Sequence, residues 1–168
     1  MASRPVTLRE VALRAGVSRS AVSRAFTPGA SVSPRTRAAI ELAARELGYM
    51  PSALASALST GRTKLIGLVS NNFHNPVFLE IFDQFTRGLQ DRGLRPLLVN
   101  LSGEMDGDAA VAMLRRYSVD GVILASSTLP AALALRFRDA GIPVVHSFGR
   151  RTDRPEVNLV GVDNRACG

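Results

Sequence analysis

The sequence predicts an all-α, three-helix head and hinge joined to an α/β lobe on a parallel sheet. Three observations lead there. Thr7 to Phe26 reads as two short amphipathic helices around one tight turn. The charge is one-sided. Of a net +7 over 168 residues, residues 1–64 hold ten Lys and Arg against three Asp and Glu, whereas residues 65–168 hold eleven of each. From Leu65 onward, short apolar runs alternate with longer amphipathic ones, the texture of alternating strands and helices.

In the head, Thr7 followed by Glu10 forms a capping box and opens the first helix. Leu8, Val11, Ala12 and Ala15 then fall on one face. Gly16 supplies the turn, Val17 an apolar plug, and Ser18 an N-cap for the second helix. That helix hides Ala21, Val22, Ala25 and Phe26 and shows Arg19, Ser20, Ser23 and Arg24. A short helix presenting only arginines and hydroxyls suits a DNA major groove. The bland alternative is a helical corner with a solvated polar face. Thr27 to Val32 is a loop; Ser33 and Pro34 open a third helix lined by Ala39, Ile40, Ala43, Ala44 and Leu47 and ended by Gly48. Thr7, Ser33 and Thr36 are candidate phosphate donors, with simple capping as the competing role. Pro51 to Ser59 favours helix but is too short to be stable alone, so it reads either as a hinge or as a linker helix packed on the core. Thr60 to Lys64 reads as a basic, flexible joint.

The pattern T-L-x-x-V-A-x-x-A-G-V-S-x-x-x-V-S-R, continued by Val32-Ser33, Thr36-Arg37, Leu47-Gly48-Tyr49 and Pro51, resembles the DNA-binding headpiece of the LacI/GalR family of bacterial transcription regulators. The resemblance implies a head over 1–50, a hinge helix and linker over 51–64, and the N-terminal lobe of an effector-binding domain over 65–168. It also implies a homodimer on a pseudo-palindromic double-stranded operator. There Arg19 and Ser20 would face base edges, Ser18 and Ser23 would hold phosphates or cap, and Arg24 would do either. Ala55 and Leu58 would lie in the minor groove, where Leu58 would wedge between base pairs. Arginine suits the bidentate contact to guanine.

In the lobe, strands are expected at Leu65–Val69, Pro96–Val99, Gly121–Ala125, Ile142–His146 and Asn158–Val162, with helices at Val77–Arg92, Asp108–Tyr117 and Pro130–Ala140. Continuous apolar strands predict a parallel sheet covered on both faces. The resemblance adds a fold shared with periplasmic sugar-binding proteins. Ligands gather at the carboxyl ends of such strands. Asn71, Phe73, Asn75, Ser126, Phe148, Arg150, Asp163 and Asn164 lie there, a set suited to a neutral sugar or polyol. By the resemblance, Phe73 and Asn75 occupy the first ligand loop, and Asp163-Asn164 a V-D-N motif. Each has a competing role as a helix cap.

Other functions find little support. There is no G-x-G-x-x-G after the first strand, no phosphate-binding P-loop and no G-x-S-x-G, so an enzyme is not expected. No cofactor is expected either. Cys167 is the single cysteine, and His74 and His146 stand apart from other ligating residues, so no metal site is expected. No signal peptide or spanning segment is read, giving a cytoplasmic chain. Family members normally continue for about as many residues again as the resemblance covers here. The alternative function is therefore a truncated fragment that binds half-sites weakly or pairs with a full-length relative, without effector response.

Overall fold

The computed structural model describes residues 4–27, 29–101, 106–149 and 156–161, without the side chains of residues 54, 55 and 59. The chain separates into two compact units, Met1–Gly61 and Arg62–Gly168.

The first unit is helical. Helix α1, Leu8–Ala15, starts at Thr7, whose backbone N–H donates to Glu10 Oε2 at 2.6 Å while its hydroxyl oxygen accepts from the Glu10 amide at 3.4 Å. Gly16, at φ 65°, closes α1 in the left-handed region where a Cβ is disfavoured, so the chain can turn at once. Ser18 caps α2, Arg19–Ala25, and Ser33 caps α3, Pro34–Leu47. Val11, Ala12, Val22, Ala25, Ile40, Ala43 and Ala44 form the core, with Phe26 and Tyr49 packed at its edge. Ala39, expected on this face, is exposed. It sits about 100° around the helix from Ile40, and an alanine-rich helix marks its face only weakly. Helix α4, Ala53–Thr60, buries none of its described side chains. Leu58 is 89% exposed.

The capping box sets a pH response. Hydrogen bonds from the Thr7 side chain and then its backbone hold the Glu10 carboxyl below its ordinary value of 4.5. A folded-state value lowered in this way gives stabilisation that is present above 4.5 and lost as pH falls through the lowered value. Glu10→Ala is therefore expected to lower the melting temperature of the head near neutrality, and the gap from the parent should close on acidification. Melting curves of both proteins across that range check it.

The second unit is a five-stranded, all-parallel sheet in the order β2-β1-β3-β4-β5. Its strands are β1 Leu65–Ser70, β2 Arg95–Asn100, β3 Gly121–Ala125, β4 Val144–Ser147 and β5 Asn158–Val160. Its helices are α5 Pro76–Asp91, α6 Gly107–Arg116 and α7 Ala131–Asp139. Pro96 is tolerated because β2 is an edge strand. β4 begins at Val144 rather than Ile142: Pro143 has no amide to offer a ladder, although its carbonyl accepts from Val122 N at 2.8 Å. Helices α6 and α7 bury Leu114, Leu133, Ala134 and Phe137 against Val69, Val99, Val122, Leu124 and Val144. On the opposite face α5 packs Phe82 against Leu68 and Ala125. Cover there is thinner, and Leu98 on β2 is 53% exposed.

The end of the joint is not free. Asp120 accepts from Thr63 N and Lys64 N, each at 3.0 Å, and from the Thr63 hydroxyl at 3.2 Å. That hydroxyl also lies 2.8 Å from Ser118 O, and Arg95 N donates to Lys64 O at 2.8 Å. Lys64 and Ser118 both hold positive φ, at 60° and 51°. The expectation of a flexible joint is thus corrected at Thr63 and Lys64, because one carboxylate takes up both backbone amides. Asp120→Ala is expected to destabilise the lobe by about 1–3 kcal/mol. Urea unfolding followed on the lobe measures it, and Asp120→Asn, which keeps one acceptor, should recover part of the loss.

Among the described residues no helix is long and apolar enough to cross a membrane, and no cluster of His, Cys, Asp and Glu could hold a metal ion.

Candidate nucleic-acid interface and ligand site

Helix α2 is the centre of the first candidate site. Val22 and Ala25 are buried, which turns Arg19, Ser20, Ser23 and Arg24 outward, all four exposed. Neither arginine makes an ion pair among the described residues, so both guanidinium groups stay available to a polyanion. Arg14, by contrast, is spent on Glu46 at 2.6 Å. Ser18 Oγ accepts from Ala21 N at 3.2 Å and sits 3.0 Å from Ser20 Oγ. Ser33 donates to the Thr36 hydroxyl at 2.8 Å and accepts from Thr36 N at 3.2 Å. Thr7 donates to Glu10 at 2.7 Å. The hydroxyls of Thr7, Ser18 and Ser33 therefore serve as caps, while that of Thr36 accepts from Ser33, and all four lie at helix starts. Leu58 is outward on α4; Ala55 lies on the same helix, its side chain outside the described set. A shallow niche bounded by Leu8, Ser23, Phe26, Thr27, Tyr49, Pro51, Ser52 and Ser56 lies within this unit. Burial raises the Tyr49 phenol above its ordinary value of 10.0, so the ring stays neutral beside Phe26, at a centroid distance of 5.7 Å.

In the lobe the strand order reverses between β1 and β3, the switch point where a crevice opens at the strand ends. There Ser126, fully buried, donates to Asn71 Oδ1 at 2.7 Å and accepts from Asn72 Nδ2 at 3.1 Å. It also accepts from the amides of Thr128 and Leu129, at 3.1 and 3.2 Å. The Thr128 hydroxyl donates to Asn71 Oδ1 at 3.1 Å. Sequence reasoning placed Asn71, Asn72 and Ser126 at the strand ends; it missed Thr128, which completes the knot. Ser126 spends its hydrogen bonds internally, so it braces the site. Asn75 is exposed and caps α5 through Val77 N at 3.0 Å, its competing role. His146 is buried with Nε2 3.1 Å from Ser126 O, a core imidazole.

Aromatic rings continue the site. Phe73 packs on Phe82 at 4.7 Å, and Phe78 lies between Phe82, at 6.1 Å, and Phe148, at 5.7 Å. Phe148 holds φ 65°, a strained choice for a bulky side chain, fixed by its amide donating to Val160 O at 2.8 Å. Gly149 follows because a Cβ there would come within 2.7 Å of Leu159 and 2.8 Å of His146. Phe78 was missed because a phenylalanine in a helical pattern reads as core; the signal was its place in the first turn after Asn75. Arg150, Asp163 and Asn164 lie outside the described residues.

The family profile described as "Bacterial regulatory proteins, lacI family" matches residues 7–52. Residues 7–52 are a LacI-family helix-turn-helix domain. Beyond this head, the transcriptional repressor PurR of Serratia proteamaculans is 35% identical over 141 residues, 83% of this chain and 41% of PurR. A crystal structure of the lac repressor dimer bound to operator and the anti-inducer ONPF superposes with a TM-score of 0.79 at 26% identity, covering 97% of this chain and 50% of that one. A CelR-cellobiose complex gives 0.52 at 32% identity, covering 97% and 49%. The LacI-type head is thus followed by the parallel-sheet lobe found in these regulators. The chain spans about two fifths of the length of the curated relatives it matches.

Proposed function

We propose that the chain is a cytoplasmic, sequence-specific DNA-binding regulator that represses transcription and is controlled by a small effector. One observation carries the DNA reading: in a LacI-family head, α2 turns two unpaired arginines and two serines outward from a core of Val22 and Ala25. Arg19 and Ser20 read base edges, Ser18 and Ser23 meet phosphates, and Arg24 serves either purpose. Thr7, Ser33 and Thr36 add phosphate contacts from exposed helix starts. Leu58, exposed on α4 beside Ala55, is the minor-groove wedge. The chain works as a homodimer on a pseudo-palindromic operator. Leu79 on α5 and Leu98 on the adjoining edge strand, each more than half exposed, support a partner at that side of the lobe.

In the lobe the effector is a sugar or related polyol. Asn71 keeps its amide NH2 for a ligand hydroxyl while Ser126 and Thr128 hold its oxygen. Phe73 and Phe148 offer faces to an apolar ring edge, with Asn75, Arg150, Asp163 and Asn164 as further polar contacts. Catalysis has no part in this reading, which is that of the regulators the chain resembles.

Titration of a labelled duplex at rising salt tests the proposal. Binding should weaken with a log–log slope of several units, about 0.9 for each phosphate neutralised. A salt-independent or absent interaction would sink it.

A further inference from the structure

The guanidinium of Arg37, a half-buried arginine of the head, bridges two elements. It sits in the opening of α3, three residues after Pro34, where the helix dipole disfavours a cation. The first turn of α3 holds no acid to offset it. The side chain instead reaches the carboxyl end of α2, where a cation is favoured. Nη1 donates to Ala25 O, the last carbonyl of α2, and Nη2 donates to Ala30 O at 3.3 Å. Arg37 is half-buried and forms no ion pair among the described residues. Its two bonds close the loop from Phe26 to Ala30 like a clasp. That loop otherwise rests on local bonds: Thr27 N to Arg24 O at 3.1 Å, the Thr27 hydroxyl to Ser23 O at 2.9 Å, and Ala30 N to Thr27 O at 3.2 Å.

We propose that Arg37 is a positioning residue for sequence readout: its guanidinium fixes the carboxyl end of α2, and so the angle at which Arg19 and Arg24 are presented, without touching DNA. The inference rests on the DNA-binding reading and gives that reading its orienting element. A lysine cannot replace it, because a single ammonium lacks the planar fork that spans two carbonyls.

The test separates a clasp from a phosphate contact, using the full chain with Arg37→Gln and Arg37→Lys. Amide exchange at Phe26, Thr27 and Ala30 should quicken about tenfold in Arg37→Gln, while α1 amides change less than about twofold. Affinity for a preferred duplex should fall about tenfold as the charged hydrogen bonds are lost. Affinity for a scrambled duplex should fall less than about twofold, and the salt slope should hold, since no counterion-releasing contact is removed. Arg37→Lys should lie between parent and Arg37→Gln, and it decides the matter alone if Arg37→Gln does not fold. A salt slope reduced by about one, with both duplexes weakened alike, makes Arg37 a phosphate ligand and overturns the proposal. Unchanged exchange at residues 26–30 overturns it as well. If the parent prefers neither duplex, the DNA reading itself fails, and the exchange arm still decides whether Arg37 is the clasp.

Discussion

Ile40→Ala is expected to unfold the DNA-binding head and leave the lobe standing. Ile40 is fully buried, and of its core neighbours only Val11 and Val22 are larger than alanine among the seven buried residues. Three branched side chains therefore fill the fully buried centre, with Leu8, Phe26, Leu47 and Tyr49 packed around it. Removing the largest leaves a cavity that alanines cannot collapse into, which costs about 2–5 kcal/mol. A head of this size has only a few kcal/mol of net stability, so the loss takes most of it. The lobe has a separate core around Leu114, Leu124 and Phe137. Calorimetry should therefore show the head transition lost and the lobe transition in place, with DNA binding abolished. Head melting within a few degrees of the parent would contradict this account of the core.

Arg19→Ala is expected to leave both transitions untouched and to lower affinity for the preferred duplex about 10- to 100-fold, by about 1–3 kcal/mol. Arg19 is exposed and forms no ion pair among the described residues, so its removal opens no cavity and orphans no buried partner. On the proposed reading, what is lost is a bidentate contact to one base. The preference at that base position should relax, and the others should persist. Equal loss on every sequence would assign Arg19 to a phosphate. No loss would remove it from the interface.

The caps were legible because they are local. Thr7 with Glu10, Ser18 before α2, and Ser33-Pro34 before α3 each act within three residues, and the structure has each of them. The strands were legible because apolar runs bounded by turn residues have few other uses, and their ends moved by only one or two residues: β1 runs on to Ser70, β2 gains Arg95 and Asn100, β4 starts after Pro143 and ends at Ser147, and β5 ends at Val160. What stayed hidden was long-range and polar. Asp120 binds Thr63 and Lys64 across 57 and 56 residues, Ser126 binds Asn71 across 55, and Arg37 reaches back twelve to Ala25. Such bonds have no period and no composition. They pin Thr63 and Lys64, the last two residues of a stretch read as a flexible joint, and occupy the Ser126 hydroxyl with internal partners. The aromatic row was half legible. Phe73 and Phe148 stand at strand ends, where side chains invite a ligand reading, but Phe78 and Phe82 lie within a helical repeat that reads as core.

Sequence-specific readout by α2 is the central claim, and selection of bound duplexes from a random pool tests it most directly. The chain is expected to enrich a two-fold symmetric motif at both low and physiological salt, with a guanine in each half-site that Arg19→Ala no longer selects. A pool that stays random at low salt, where phosphate attraction is strongest, would contradict it.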